Sequence, residues 1–249
     1  MLAKLIHKWR WPNLFLVAVV TGIIALAACG VDGEKTITPV PTAIPAAATA
    51  ATIPATATQD IATQKPDDRV TVGISMYLLV DDLEDPDPAL SSQRTEEELT
   101  VILAGMNEIW TKANIHLELV NLDTIEVDPA VLQQVAQGDI RAFLGQLGGS
   151  IPFGLTGPDS SLISGFYTKE IGGPNGITPL GTGWYLVMDE PSVFDRRVSS
   201  HEVGHILGLR HTLNDRGRLL YPSTNSMSLT QEEITITRYV AMELLKTRK

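Results

Sequence analysis

Three of the chain's five histidines fall in one short segment, HEVGHILGLRH, at positions 201–211. On an α-helix, residues four apart project from the same face one turn apart, so His201 and His205 can reach a common point. Glu202 then lies beside that point without having to bind there. Imidazole nitrogens at this spacing are ligands typical of zinc. The segment therefore predicts a helix that offers two ligands to one metal ion.

The residues after this helix predict a third ligand. Glycine tolerates the left-handed backbone conformation that ends helices, so Gly208 predicts a sharp turn of the chain. His211 can then return to the point that His201 and His205 share. Three protein ligands leave a fourth position for water, which is typical of a catalytic rather than a structural zinc site. The five-residue HExxH alone also arises by chance on surface helices, but the added glycine and third histidine favour zinc.

The whole pattern HExxHxxGxxH resembles the signature of the metzincin zinc metallopeptidases, in particular the matrixin-like members. The resemblance implies an α+β domain, in which a twisted, mostly parallel sheet carries two or more helices, a zinc-binding active-site helix and a small carboxyl-terminal subdomain. It also implies one catalytic Zn²⁺ held by His201, His205 and His211. Glu202 would then be the general base for attack of a zinc-bound water on a peptide bond.

The chain departs from that family in the turn after the third histidine. The family has a methionine there, beneath the metal, whereas the segment RLLYPST at 218–224 has Leu220 at the corresponding place. Met227 is the other candidate, but Tyr221 and Pro222 fit the turn and favour Leu220. The resemblance then implies that Leu220, Tyr221 and Pro222 line the pocket for the residue after the scissile bond. An ordinary proline turn is the alternative.

The remaining pattern predicts the elements that carry this site. Apolar periodicity and turn residues predict strands and helices in the order strand, helix, strands, zinc-binding helix, final helix. Thr95 and Asp195 are the predicted N-caps of the first and the zinc-binding helix. By resemblance in element order, residues 162–170 form the sheet edge beside which an extended peptide can add. The predicted strands are 70–80, 114–120, 122–127, 162–170 and 184–189, and the other predicted helices are 95–112, 129–147 and 230–246.

The amino-terminal segment predicts export. A basic start is followed by an apolar run at 14–28, which is the pattern of a secretory signal. The sequence LAAC at 26–29 resembles a bacterial lipobox, which implies a signal peptide at 1–28 and a lipidated Cys29. The protein would then be extracytoplasmic and anchored to the bacterial cell membrane by that lipid. An uncleaved anchor is the alternative.

Composition divides the rest of the chain into a linker and one domain. Residues 29–66 are rich in Thr, Ala and Pro without a hydrophobic period, which predicts a flexible tether or simply a disordered terminus. Residues 67–249 have the length of one domain, the predicted metallopeptidase. Cys29 is the only cysteine, so no internal disulfide can form and no other cysteine is available to block a zinc ion.

The net charge of the chain argues against some classes of binding partner. The chain has 29 acidic and 19 basic residues and a net charge of −10, which argues against nucleic acid and against anionic lipid heads. The acidic loop at 81–87 could hold a structural Ca²⁺, but a solvated loop is preferred because its spacing matches no known calcium loop.

The predicted function is that of a zinc-dependent endopeptidase whose substrate is a protein or peptide. The protein is predicted to be a monomer. One alternative is a zinc-stabilised extracytoplasmic binding or adhesion module with little or no catalytic activity. Another is a hydrolase of some other amide, such as a cell-wall peptide cross-link.

Overall fold

The computed structural model describes residues 26–28, 68–150, 162–190 and 195–246, without the side chains of 26–28, 146–150 and 195. Cys29, the predicted linker at 29–66 and most of the predicted signal segment lie outside the described residues. The predicted domain boundaries and the lipid anchor therefore stay predictions.

A six-stranded sheet forms the centre of the fold, in the spatial order β1-β5-β6-β4-β2-β3. Strands β2, β3, β4 and β6 run parallel, whereas β5 is antiparallel to both β6 and β1. The predicted mostly parallel sheet is confirmed. The strands are β1 (Leu26–Ala28), β2 (Val70–Val80), β3 (Ile115–Glu126), β4 (Ile163–Thr168), β5 (Gly176–Pro179) and β6 (Trp184–Met188).

Five α-helices accompany the sheet in the part of the chain that the structure describes. Gly138, with φ of 87°, separates α2 from α3, so the single helix predicted at 129–147 is in fact two. None of these helices is both long and apolar enough to cross a membrane. The helices are α1 (Glu96–Trp110), α2 (Pro129–Ala136), α3 (Arg141–Ser150), α4 (Asp195–Ile206) and α5 (Gln231–Lys246).

Local sequence explains where the long helices begin. Thr95 and Glu98 form a reciprocal capping box at the start of α1, as the sequence predicted. Thr230 and Glu233 do the same for α5: the Glu233 carboxylate accepts from the Thr230 amide at 2.9 Å, and the Thr230 hydroxyl accepts from the Glu233 amide at 3.3 Å. Asp195, predicted as the N-cap of α4, is instead its first helical residue, a difference of one position.

Alternating side chains of the sheet form two apolar cores. On β6, Tyr185 and Val187 join the core that contains residues of α1, α4 and α5. Trp184 and Leu186 face the other way, into a second core with α2 and with Phe143 of α3. Because a strand places successive side chains on opposite faces, β4 and β6 bury both of their faces, whereas most residues of the edge strand β3 are exposed or half-buried. The result is a mixed α/β fold with helices on either side of the sheet.

The predicted sheet edge is wrong. Residues 162–170 contain β4, which lies between β6 and β2 in the interior of the sheet. The strand beside α4 at this end of the sheet is β5, a four-residue strand within the loop that the sequence showed only as glycine-rich. Leu26–Ala28 pair with the outer side of β5, with Ala27 opposite Thr178.

Candidate metal centre

Helix α4 presents His201 and His205 from one face, and packing fixes its orientation. Val203 and Leu207 are fully buried in the core beneath the sheet. Gly204 lies against Leu220, since a Cβ on Gly204 would come within 2.9 Å of a Leu220 methyl carbon. These contacts fix the orientation of the helix and hence the direction in which the two histidines project.

Gly208 ends the helix and redirects the chain. Its φ of 90° is in the left-handed region, as predicted. The Leu209 amide donates to the Gly204 carbonyl at 2.9 Å and the Gly208 amide to the His205 carbonyl at 3.1 Å, which closes the last turn. The chain then returns His211 to the face that carries the other two histidines.

The three imidazoles converge on one point. Nε2 of His211 lies 3.1 Å from Nε2 of His201 and 3.2 Å from Nε2 of His205. Nitrogens at zinc–nitrogen distances of about 2.0–2.1 Å in a tetrahedral site are separated by about 3.3 Å. The spacing of the three nitrogens therefore fits one zinc ion.

Hydrogen bonds on the far side of two rings fix which nitrogen faces that point. Nδ1 of His201 donates to the Leu219 carbonyl at 2.7 Å, and Nδ1 of His205 donates to the Leu209 carbonyl at 3.0 Å. A neutral ring that donates from Nδ1 has a lone pair on Nε2, so both rings direct lone pairs at the same place. A bound cation satisfies such an arrangement, and backbone carbonyls are common partners of metal-binding histidines.

Burial keeps the three rings neutral. It is the main cause that lowers the pKa of His201 well below its usual value, that of His205 to about 4, and that of His211 below its usual value. The positive charge of Arg197 adds to this effect for His201 and His211. Because a metal binds the neutral imidazole, these rings are ready to bind at neutral pH without losing a proton.

Glu202 lies beside the histidines in a closed environment. Its side chain is fully buried, and one carboxylate oxygen accepts from the Thr178 hydroxyl at 2.8 Å. Strand β5 passes so close that a Cβ on Gly176 would come within 2.7 Å of the other carboxylate oxygen. Burial raises the pKa of Glu202 to about 8, against the lowering effects of the Thr178 hydrogen bond and the Arg197 charge. In the metal-free protein the carboxyl group is therefore mostly protonated at neutral pH, and the positive charge of a bound metal ion would favour the carboxylate form that can accept a proton.

This raised pKa predicts a pH-dependent stability. An acid whose pKa is higher in the folded state favours folding at low pH, and that contribution is lost as the pH rises from about 4.5 to about 8. We expect metal-free Glu202→Gln, which cannot ionise, to gain stability over the metal-free wild type from about pH 5 to about pH 8, by at most about 5 kcal/mol. Urea denaturation with a chelator measures both free energies of unfolding. A difference that does not change with pH would contradict the raised pKa.

The turn after the third histidine contains the residues predicted for the substrate pocket. Leu220 is fully buried against Gly204, while Tyr221 and Pro222 are half-buried. Met227, the other candidate for the floor of the site, is partly buried at the edge of the core, and its carbonyl accepts from Lys112 at 3.2 Å. Leu220 is therefore the residue packed on α4. The pocket itself stays a prediction.

The acidic loop at 81–87 is organised by its own hydrogen bonds. A carboxylate oxygen of Asp81 accepts from Ser91 at 2.5 Å and from the Asp87 amide at 2.9 Å. The hydrogen bond from Ser91 is the main cause that lowers the pKa of Asp81. Within the described ranges, the three histidines are the only group of three or more metal-binding side chains that come together.

Sequence reasoning missed the residues that surround Glu202. Thr178 and Gly176 belong to β5, whose four residues are too few to show a strand period. Arg197, one turn before His201, is buried and its guanidinium donates to the Leu219 carbonyl at 3.1 Å. No local pattern marks an arginine as buried, so only the tertiary structure shows these contacts.

Comparison with known proteins gives similarity at the level of structure alone. No protein-family model matches the sequence, and no curated protein matches it. A structure described as a chaperone–substrate complex aligns with a TM-score of 0.47 and 14% identity over 73% of this chain and 40% of that one. Metalloproteinase-II from Bacteroides fragilis aligns with a TM-score of 0.47 and 12% identity over 71% of this chain and 55% of that one.

Archaemetzincin from Methanopyrus kandleri aligns with a TM-score of 0.39 and 14% identity, over 74% of this chain and 98% of that one. The chain thus spans less than two thirds of the length of the first two proteins. Metalloproteinase-II and archaemetzincin are metallopeptidases by description. At these identities and TM-scores, the functional assignment depends on the geometry of the three histidines and Glu202.

Proposed function

We propose that the protein is a zinc-dependent endopeptidase. The observation that carries the proposal is the convergence of three imidazole nitrogens, 3.1 and 3.2 Å apart, beside a buried glutamate. When bound there, zinc supplies a Lewis acid that lowers the pKa of a water to about 7 and polarises a carbonyl group. His201, His205 and His211 are the residues that would hold it.

Glu202 moves the proton in this proposal. Its carboxylate accepts a proton from the attacking water and returns it to the amine of the leaving peptide. The hydrogen bond from Thr178 and the close approach of Gly176 restrict the carboxyl group to one position. A purely structural metal site has no use for a buried carboxyl group held in this way.

Strand β5 is the proposed site for the substrate backbone. An extended peptide can pair with a sheet edge through main-chain hydrogen bonds, which position it independently of its side chains. In the structure, Leu26–Ala28 occupy the outer side of β5 and pair with it in the antiparallel direction. These residues belong to the predicted signal peptide, and its removal would free that side of β5 for a substrate segment. A peptide in the same position would run past Thr178 and hence past Glu202.

The setting of the enzyme follows the amino-terminal prediction. We place the protein outside the cytoplasm, tethered to the bacterial membrane by lipid on Cys29, with residues 29–66 as a flexible linker. In this setting, a monomer would act on proteins or peptides near the membrane surface. Its acidic charge argues against nucleic acid as a partner.

Metal analysis together with digestion of a peptide library tests the proposal. We expect the purified protein to contain about one zinc ion per chain and to cleave internal peptide bonds, with both properties lost on chelation and regained with Zn²⁺. Bound zinc without cleavage of any peptide would favour a zinc-stabilised binding module. Cleavage of purified cell-wall material alone would favour a hydrolase of wall amides, and absence of zinc would refute all three.

A further inference from the structure

Arg197 is a buried cation close to the candidate metal centre. It lies on α4 four residues before His201, hence on the same face of the helix, and is only 6% exposed. Burying a guanidinium group is costly unless its N–H groups find acceptors. The acceptors that Arg197 contacts therefore indicate what the residue does.

Two of those acceptors belong to the turn beneath the histidines. The guanidinium Nη2 donates to the Leu219 carbonyl at 3.1 Å and also to the Tyr221 carbonyl. The Leu219 carbonyl accepts a second hydrogen bond, at 2.7 Å, from Nδ1 of His201. A carbonyl oxygen has two lone pairs and can accept both. One backbone oxygen thus links Arg197 to the ring of a metal ligand.

The same turn is anchored from the opposite side by α5. Arg218 forms an ion pair with Glu233 at 2.6 Å and donates to the Thr230 hydroxyl at 3.0 Å. The Leu219 amide donates to the Ser228 carbonyl at 2.8 Å. Within the turn, Leu220 offers only apolar contact with Gly204. From the side of α4, Arg197 and His201 both hydrogen-bond to backbone carbonyls of this turn.

We propose that Arg197 is a positioning residue of the metal centre, which holds the Leu219 and Tyr221 carbonyls in place and thereby orients the ring of His201. The inference rests on the proposed function, because it concerns the affinity of the histidines for zinc. In this proposal, Arg197 of α4 fixes the position of the turn that lies beneath the metal site.

Loss of Arg197 has a defined consequence under this proposal. Without the guanidinium, the Leu219 carbonyl keeps only its hydrogen bond from His201, and the ring of His201 is held less firmly in its orientation. Removal of such an outer partner typically lowers metal affinity by about 10–100-fold. The substrate backbone would still meet β5, so kcat should fall while KM changes little.

The test compares Arg197→Met with Arg196→Met in the full-length protein. Arg196 is the adjacent residue on α4, but its side chain is 48% exposed and pairs with Glu108 at 3.0 Å, so it controls for loss of a helical arginine. Zinc affinity is measured by competition with a chromophoric chelator, and the absorption spectrum of the Co²⁺-loaded protein reports ligand geometry. We expect a loss of affinity of about 10–100-fold and an altered cobalt spectrum for Arg197→Met, and neither change for Arg196→Met.

Arg197→Lys separates positioning from charge and also covers the case in which Arg197→Met does not fold. Lysine keeps the positive charge but has no planar fork that can span two carbonyls. The zinc affinity of Arg197→Lys should therefore lie between those of the wild type and Arg197→Met. If only Arg197→Lys folds, its zinc affinity should be lower than that of the wild type. Wild-type zinc affinity and an unchanged cobalt spectrum in the variants, even with a lowered melting temperature, would overturn the inference and leave Arg197 a purely structural residue. A wild-type protein that binds no zinc would instead refute the proposed function.

Discussion

Replacing Glu202 by glutamine is expected to lower kcat by about 10²–10⁴-fold while the zinc content stays the same. Glutamine has nearly the same shape as glutamate, and its amide oxygen can accept the hydrogen bond from Thr178. It cannot accept a proton from water at neutral pH, so the proton transfer that the mechanism needs is lost. Initial rates on an unstructured protein substrate, with metal analysis of the same samples, measure the effect.

Glu118→Gln is the matched control for this change. Glu118 is exposed on β3, away from α4 and β5, so its substitution removes the same charge without touching the site. The control should retain wild-type rates. Equal rates for Glu202→Gln and the wild type, with zinc bound in both, would contradict the role of Glu202 as the base.

Replacing His211 by alanine is expected to lower zinc affinity by more than about 10²-fold and to abolish cleavage. This estimate exceeds the 10–100-fold effect that is typical of outer partners, because a direct ligand is removed. His211 is the best of the three to replace, because it is only half-buried and lies after the end of α4. Its loss should therefore leave the core that surrounds His201 and His205 intact.

His116→Ala provides the control for this second change. His116 is half-buried on β3 and belongs to none of the metal-binding groups in the described part of the chain. It should keep wild-type zinc content and activity, with far-ultraviolet circular dichroism showing that both variants are folded. Unchanged zinc affinity in His211→Ala would show that the three histidines do not act together.

The sequence was sufficient for the features that depend on local spacing. The four-residue interval between His201 and His205, and the glycine at 208, predict a helix and its end, and the structure has both. The capping box at Thr95 and the apolar face of α1 are equally local. These features could be predicted because each depends on neighbours within about one or two helical turns.

Features that depend on the order of the strands within the sheet could not be predicted from local sequence. Strand β5 has four residues that include a glycine and a proline, so it shows no strand period, yet it is the strand that contacts Glu202. Residues 162–170 were predicted to form the edge of the sheet because the order of the strands along the chain was used as their order in the sheet. In fact β5 folds back antiparallel on β6, which leaves β4 inside. The two strands predicted at 114–120 and 122–127 are likewise one strand, β3, in which the register shifts at Val120, opposite Ile74 and Ser75.

Leu220 has a chemical consequence if the protein is exported, as its amino-terminal segment predicts. A methionine beneath the histidines would carry a thioether, which peroxide converts into a polar sulfoxide. Such a group pressed against Gly204 would disturb the helix that bears the ligands. The hydrocarbon side chain of Leu220 has no sulfur atom to oxidise, so peroxide would leave the residue that packs under the three histidines unaltered.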